Sequence, residues 1–127
     1  MSAAASQRLR RGDRVRERRD YQRISREGAR VSSRSFVVLT APTRVAGRSD
    51  PRLGITASRR VGSAVVRTRV KRRIREWFRR HRDALPEARD IVVIARSSAA
   101  ELDQRAVDAE LGDVARRLRS SAAAPRT

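Results

Sequence analysis

The sequence predicts a small α+β domain in which one sheet packs against helices. Stretches of period-two or unbroken apolar character take turns along the chain with stretches of helical period. The 127 residues are enough for one domain and scarcely for two. An apolar content of 39% is too high for a disordered chain, while 36% charged residues is too many for an ordinary small enzyme.

Taken in order, residues 1–12 are small, polar and arginine-rich and read as a flexible basic arm. From Arg18 to Glu27 the pattern is helical, with Tyr21 and Ile24 on one face and Gly28 placed to end the helix. Residues 31–40, rich in Val and Phe, read as extended chain, and residues 41–50, with Pro42 and Gly47, as a loop. Residues 52–60 alternate, Leu53, Ile55 and Ala57 against Arg52, Gly54, Thr56 and Ser58, which is a half-buried strand. Gly62 breaks it, and Ser63 is a fitting N-cap.

The next helix is the clearest element. Val66, Val70, Ile74, Trp77 and Phe78 form a narrow apolar stripe, and Arg72, Arg75 and Arg79 fall opposite it, flanked by Lys71 and Arg82. Pro86 follows the helix, and the unbroken run 91–95 reads as a strand covered on both faces. Val107, Leu111, Val114 and Leu118 give a C-terminal amphipathic helix, and residues 120–127 read as a disordered tail. The folded domain is thus placed at residues 13–119, in the order helix, strands, helix, strand, helix.

Charge and inventory bound the function. The 32 basic and 14 acidic residues leave a net +18, distributed as +19 over residues 1–82 and −1 over residues 83–127. So one-sided a charge opposes compaction unless an acidic partner neutralises it. Nucleic acid is the first candidate and an anionic membrane surface the second. There is no cysteine and one histidine, His81, which excludes disulfide frameworks, thiolate zinc sites, cysteine nucleophiles and two-histidine catalysis. No signal-peptide core precedes the domain and no apolar run is long enough to span a membrane, so a soluble cytoplasmic protein is expected.

The basic helix is the central object. Residues 67–82 hold nine cations and one acid, Glu76. Guanidinium groups on successive turns suit backbone phosphates, and the helix N-terminus, with Arg59, Arg60, Arg67 and Arg69 close in sequence, attracts anions through its free N–H groups. That 31 of the 32 basic residues are arginine also fits a GC-rich codon bias, so position carries more meaning than arginine identity. Trp77 and Phe78 continue the apolar stripe and belong in the core. Phe36 fits either the core or a stacking surface. Tyr21, among arginines on a short helix, is the better platform for an unpaired base. His81 reads as a packing or helix-capping residue, and the acids Glu101, Asp103, Asp108, Glu110 and Asp113 as a solvated face. The residues therefore describe a basic RNA-binding module without a protein active site. A ribosomal or ribosome-associated protein without nuclease role fits the same size and charge.

The segment from Leu53 to Glu76, LGITASRRVGSAVVRTRVKRRIRE, resembles the signature of the bacterial ribonuclease P protein subunit. In that family a strand ends in a Ser-Lys-Lys-type step, followed by Gly-Asn-Ala-Val and then Arg-Asn-Arg-x-Lys-Arg opening a basic helix. The resemblance extends to Asp20-Tyr21, Gly28, Phe36-Val37 and the run from Asp90 to Arg96, and covers roughly residues 8–118. It implies a four-stranded sheet in the order α-β-β-β-α-β-α with a left-handed β-α-β crossover. It also implies a ribonucleoprotein endonuclease that removes the 5′ leader of precursor tRNA. The chemistry and its Mg2+ would lie in the RNA subunit, and the protein would hold no cofactor of its own. Its partners would be that catalytic RNA and the leader, with neither DNA nor membrane among them. By position, Arg67, Arg69, Lys71, Arg72 and Arg75 would contact the catalytic RNA, Arg59 and Arg60 would form the basic pair before the helix, and Tyr21 and Phe36 would line the leader cleft. Thr68 stands where the family usually has asparagine, and Ser25 and Leu39 stand where aromatics are common.

Overall fold

The structure is a computed structural model and describes residues 11–15 and 17–123. Four strands, β1 (Ala29–Ser32), β2 (Phe36–Pro42), β3 (Arg52–Ala57) and β4 (Arg89–Ala95), form one mixed sheet in the order β1-β2-β4-β3. Three helices, α1 (Arg18–Glu27), α2 (Ala64–His81) and α3 (Gln104–Ala123), cover it. β1 and β2 form an antiparallel hairpin, β2 pairs antiparallel with β4, and β3 pairs parallel with β4. The last strand of the chain is therefore central, reached from β3 by a crossover that contains α2.

Alternation along the strands sorts the core into two layers. Phe36, Val38, Leu53, Ile91, Val93 and Ala95 face α2 and α3, meeting Val70, Ile74, Trp77 and Phe78 from one helix and Val107, Leu111, Val114 and Leu118 from the other. Leu39, Ala41 and Val92 face α1, meeting Ile24, Tyr21 and Val15. Both faces of β4 are thus covered, as its unbroken apolar sequence requires.

The helix starts and stops follow local chemistry. Ser63 caps α2 by accepting a hydrogen bond from the Val66 N–H at 3.3 Å. Gly28 ends α1 without a left-handed turn (φ −77°). A Cβ there would lie 2.4 Å from the Ile24 carbonyl oxygen and 2.8 Å from that of Thr40, so close backbone approach is what demands glycine.

Several boundaries differ from the sequence reading. The extended run 31–40 is two strands joined by a turn, which Glu110 of α3 holds by accepting hydrogen bonds from the Ser33 hydroxyl and, at 2.7 Å, the Ser35 N–H. β2 runs on to Pro42, and β3 stops at Ala57 because residues 59–61 turn. Most of the basic arm lies outside the described residues, but its end is ordered: residues 11–13 form a 3₁₀ turn whose Asp13 is clamped by Arg48 at 2.7 Å and Arg82 at 3.2 Å. α3 continues to Ala123, into the segment read as a tail, and residues 124–127 lie outside the described residues. The acids in α3 and just before it are not simply solvated. Asp103 accepts from the Ala106 N–H, Asp108 pairs with Arg80, and Glu110 clasps the hairpin.

Candidate nucleic-acid interface

The cations of α2 fall into two groups. Toward its C-terminus, Arg73, Arg79, Arg80 and the following Arg82 are consumed internally. Arg79 and Arg80 share Glu76, Arg80 also reaches Asp108, and Arg82 binds Asp13 while lying 5.7 Å above the Phe78 ring. Arg73 donates to the Leu102 carbonyl. The sequence reading counted Arg79 and Arg82 on the free positive face; tertiary partners bring them into the fold instead. His81 hydrogen-bonds the Trp77 carbonyl oxygen through Nδ1 at 2.9 Å and stacks on the Trp77 ring, a packing and capping role.

The other group is different. Arg67, Arg69, Lys71, Arg72 and Arg75 have no carboxylate within 4 Å among the described residues. Arg69 and Arg72 are exposed and, with Thr68, Ala64 and Val65, line a shallow groove of about 390 Å³. Val65 is 76% exposed there, an apolar side chain in the groove that Arg69 and Arg72 also line. Arg59 and Arg60 are exposed in the turn between β3 and α2, equally without an acidic partner. Arg69 and Arg72 are thus brought together at this groove and Lys71 and Arg75 at a second site, while the basic pair precedes the helix after β3.

A cleft of about 260 Å³ adjoins this helix. Its floor is Leu53, Gly54 and Ile55 of β3, and Tyr21 of α1 closes one side. Gly54 is required: a Cβ would lie 2.7 Å from the Tyr21 hydroxyl oxygen and 2.9 Å from the ring carbon bearing it. Burial raises the Tyr21 pKa above its ordinary value, while a hydrogen bond from the Ile55 backbone opposes that shift. The half-buried ring lies at the cleft. Lys71 and Arg75 of α2 form the far wall.

Phe36 is not in this cleft. It is fully buried on the opposite face of the sheet, among the residues packed by α2 and α3. Strand parity is the reason: Phe36 and Val38 point one way and Val37 and Leu39 the other. Leu39 faces Tyr21's layer. Ser25 is exposed one turn after Tyr21.

Sequence reasoning missed two groups. Arg14 was outside the chosen elements, yet it forms a parallel bridge with Leu53 and lines the cleft. Asp90, fully buried, accepts hydrogen bonds from Arg52 Nε and Nη2, both at 2.8 Å, and from Arg23 Nη2 at 2.5 Å, which locks α1 to the sheet. The available signal was Arg52 on the strand face shared with Gly54, a charge pointing toward α1 and in need of a counter-charge.

Comparison with known proteins agrees with this architecture. The family model described as Ribonuclease P matches residues 9–119. The ribonuclease P protein component of Syntrophobacter fumaroxidans is 42% identical over 107 residues, covering 84% of this chain and 87% of that one. That of Syntrophus aciditrophicus is 36% identical over 104 residues, covering 82% and 85%. Among solved structures, the RNase P protein of Thermotoga maritima superposes with a TM-score of 0.74 at 37% identity, covering 82% of this chain and 96% of that one. A mutant of the Staphylococcus aureus RNase P protein gives a TM-score of 0.78 at 35% identity, covering 85% and 89%. These relatives are not ribosomal proteins, and the ribosomal alternative finds no support among them. A family model matched over residues 9–119, and relatives and solved structures 35–42% identical over more than four fifths of the chain, settle its kinship: the chain belongs to the ribonuclease P protein family.

Proposed function

We propose that this chain is the non-catalytic protein subunit of ribonuclease P, binding the catalytic RNA through α2 and the 5′ leader of precursor tRNA at the Tyr21 cleft. The observation that carries it is the division of charge on α2. Among the described residues five cations are left without carboxylates, two of them, Lys71 and Arg75, at a cleft with an aromatic wall, and the remaining cations serve the fold. Phosphate contacts supply affinity that falls with salt, and stacking on an aromatic ring tolerates any base, which suits a leader of varied sequence.

Among the described residues no three His, Cys, Asp or Glu side chains are grouped to hold a metal ion. We assign the Mg2+ ions and the hydrolytic step to the RNA subunit. The protein's residues bind and orient: Arg67, Arg69, Lys71, Arg72 and Arg75 fix the RNA, Arg59 and Arg60 extend the positive surface, and Tyr21 receives the leader. No described helix is long and apolar enough to cross a membrane, and the cytoplasm is the proposed compartment.

Reconstitution tests this. The protein with its cognate RNA is expected to cleave precursor tRNA at a low Mg2+ concentration at which the RNA alone is slow. Absence of stimulation overturns the proposal.

A further inference from the structure

α1 is attached to the sheet by little apolar surface. Of its ten residues only Arg23 and Ile24 are buried. Ile24 packs against Leu39, Ala41 and Val92, with Tyr21 half-buried beside it. Apolar contact of this kind resists separation of helix and sheet, but it is non-directional and leaves the helix free to roll about its own axis. A directional contact is needed to fix the roll, and the second buried residue supplies one.

Arg23 joins three elements. Its Nη2 donates to Asp90 of β4 at 2.5 Å, and its Nη1 donates to the Pro42 carbonyl, at the end of β2, at 3.0 Å. Asp20, one turn earlier on α1, stands 3.5 Å from Arg23 and also from Arg52, which holds Asp90 from the β3 side. Arg23 and Asp90 are both buried, so water competes little for these contacts. A planar guanidinium that serves two fixed acceptors at once constrains the orientation of the helix that carries it.

Helix geometry converts that anchor into control of Tyr21. At about 100° per residue, Tyr21 lies about 60° to one side of Ile24 and Arg23 about 100° to the other. Ile24 is thus a fulcrum, and rolling α1 about it swings Tyr21 and Arg23 in opposite senses relative to the sheet. The ring has little room for error, since its hydroxyl oxygen lies 2.7 Å from where a Cβ on Gly54 would stand. Arg23 itself does not line the cleft that Tyr21 borders.

We infer that Arg23 is a positioning residue for substrate: through Asp90 and the Pro42 carbonyl it sets the roll of α1, and with it the presentation of the Tyr21 ring to the single-stranded leader. This rests on the function proposed above and extends it to a side chain outside the cleft.

Tyr21 is the only tyrosine, so alkaline titration of the phenol absorbance in the isolated protein reads its surroundings directly. Arg23→Met cuts the anchor, fills the buried site with an apolar chain of similar length and leaves Asp90 paired with Arg52. Two effects on Tyr21 then have opposite signs. Loss of a cation raises a phenol pKa, whereas release of the ring from burial lowers it toward the ordinary value of about 10. A fall is expected, and no change or a rise overturns the inference. In the reconstituted holoenzyme, Arg23→Met is expected to weaken binding of precursor tRNA with a long leader about fivefold, through poorer stacking on the ring. Substrate with a one-nucleotide leader and affinity for the RNA subunit should be unchanged. Equal losses for both leader lengths, or a loss of RNA-subunit affinity, would mean that Arg23 only supports the fold and overturns the inference. Arg23→Lys should recover most of both effects, and Arg26→Ala, an exposed position on the same helix, controls for net charge and should show neither. Arg23→Gln repeats the cut with a polar side chain and keeps the test decisive should Arg23→Met not fold. Failure of the unmodified protein to stimulate cleavage, with the tyrosine shift intact, overturns the proposed function and the leader as the ligand while retaining the coupling of Arg23 to Tyr21.

Discussion

Asp90 is a fully buried carboxylate on which two arginines converge. Burial alone would push its carboxyl pKa up, but the hydrogen bonds and charge of Arg52, followed by Arg23, outweigh this and hold it below the ordinary carboxylate range. The same contact raises the pKa of Arg52, and Asp20 stands 3.5 Å from both guanidinium groups as a second carboxylate. Asp90→Asn leaves two mostly buried cations short of a partner and is expected to cost about 3–5 kcal/mol, read from urea unfolding. The pH dependence has a definite sign. A folded pKa depressed below the unfolded value contributes stability that is complete above about pH 4 and is lost as pH falls through the folded value. Wild-type stability should therefore decline more steeply on acidification below pH 4 than that of the variant. The sequence signals only that Arg52 needs a counter-charge; its partner was not legible, because Arg52 and Asp90 are 38 residues apart and only the parallel register makes them neighbours. Phe36 teaches the complementary lesson. The strand was visible, but its parity depended on where the hairpin turned, and Glu110 fixes that turn from a distant helix.

At the scale of elements, α2 was the most legible because a single periodicity encodes its buried stripe. Val70, Ile74, Trp77 and Phe78 are buried as their spacing requires, and Ser63 caps the helix. Its charge was legible only as a total. Which cations stay available depends on Asp13, Leu102 and Asp108, contributed by other elements at long range. The division makes a paired prediction for binding to the RNA subunit. Arg69→Ala should lower affinity and flatten the logarithmic salt dependence by about one unit. Arg80→Ala should leave that slope unaltered and change stability by less than about 1 kcal/mol, since its ion pairs are partly solvated. Equal slopes for the two variants would show that the division on α2 does not govern binding.

For the whole molecule, the net +18 acts on folding and binding in opposite directions. Screening relieves self-repulsion within the folded chain, so the Tm of the isolated protein should rise as NaCl increases from about 10 to 200 mM, whereas its RNA affinity should fall over the same range. A Tm that falls with salt would mean that the internal ion pairs outweigh the uncompensated surface.

The position of β4 bears on how the chain comes into being. Every sheet contact between the β1–β2 hairpin and β3 passes through the strand made last, Arg89–Ala95. During synthesis, the segment holding the +19 excess leaves the ribosome before any strand exists that could join its two halves. Until residue 95 has emerged, the nascent chain is a polycation without a complete sheet, beside a ribosome built largely of RNA. Its vulnerable interval is therefore set by translation of the forty or so residues between the end of β3 and the end of β4, the stretch that must appear before charge and fold are united.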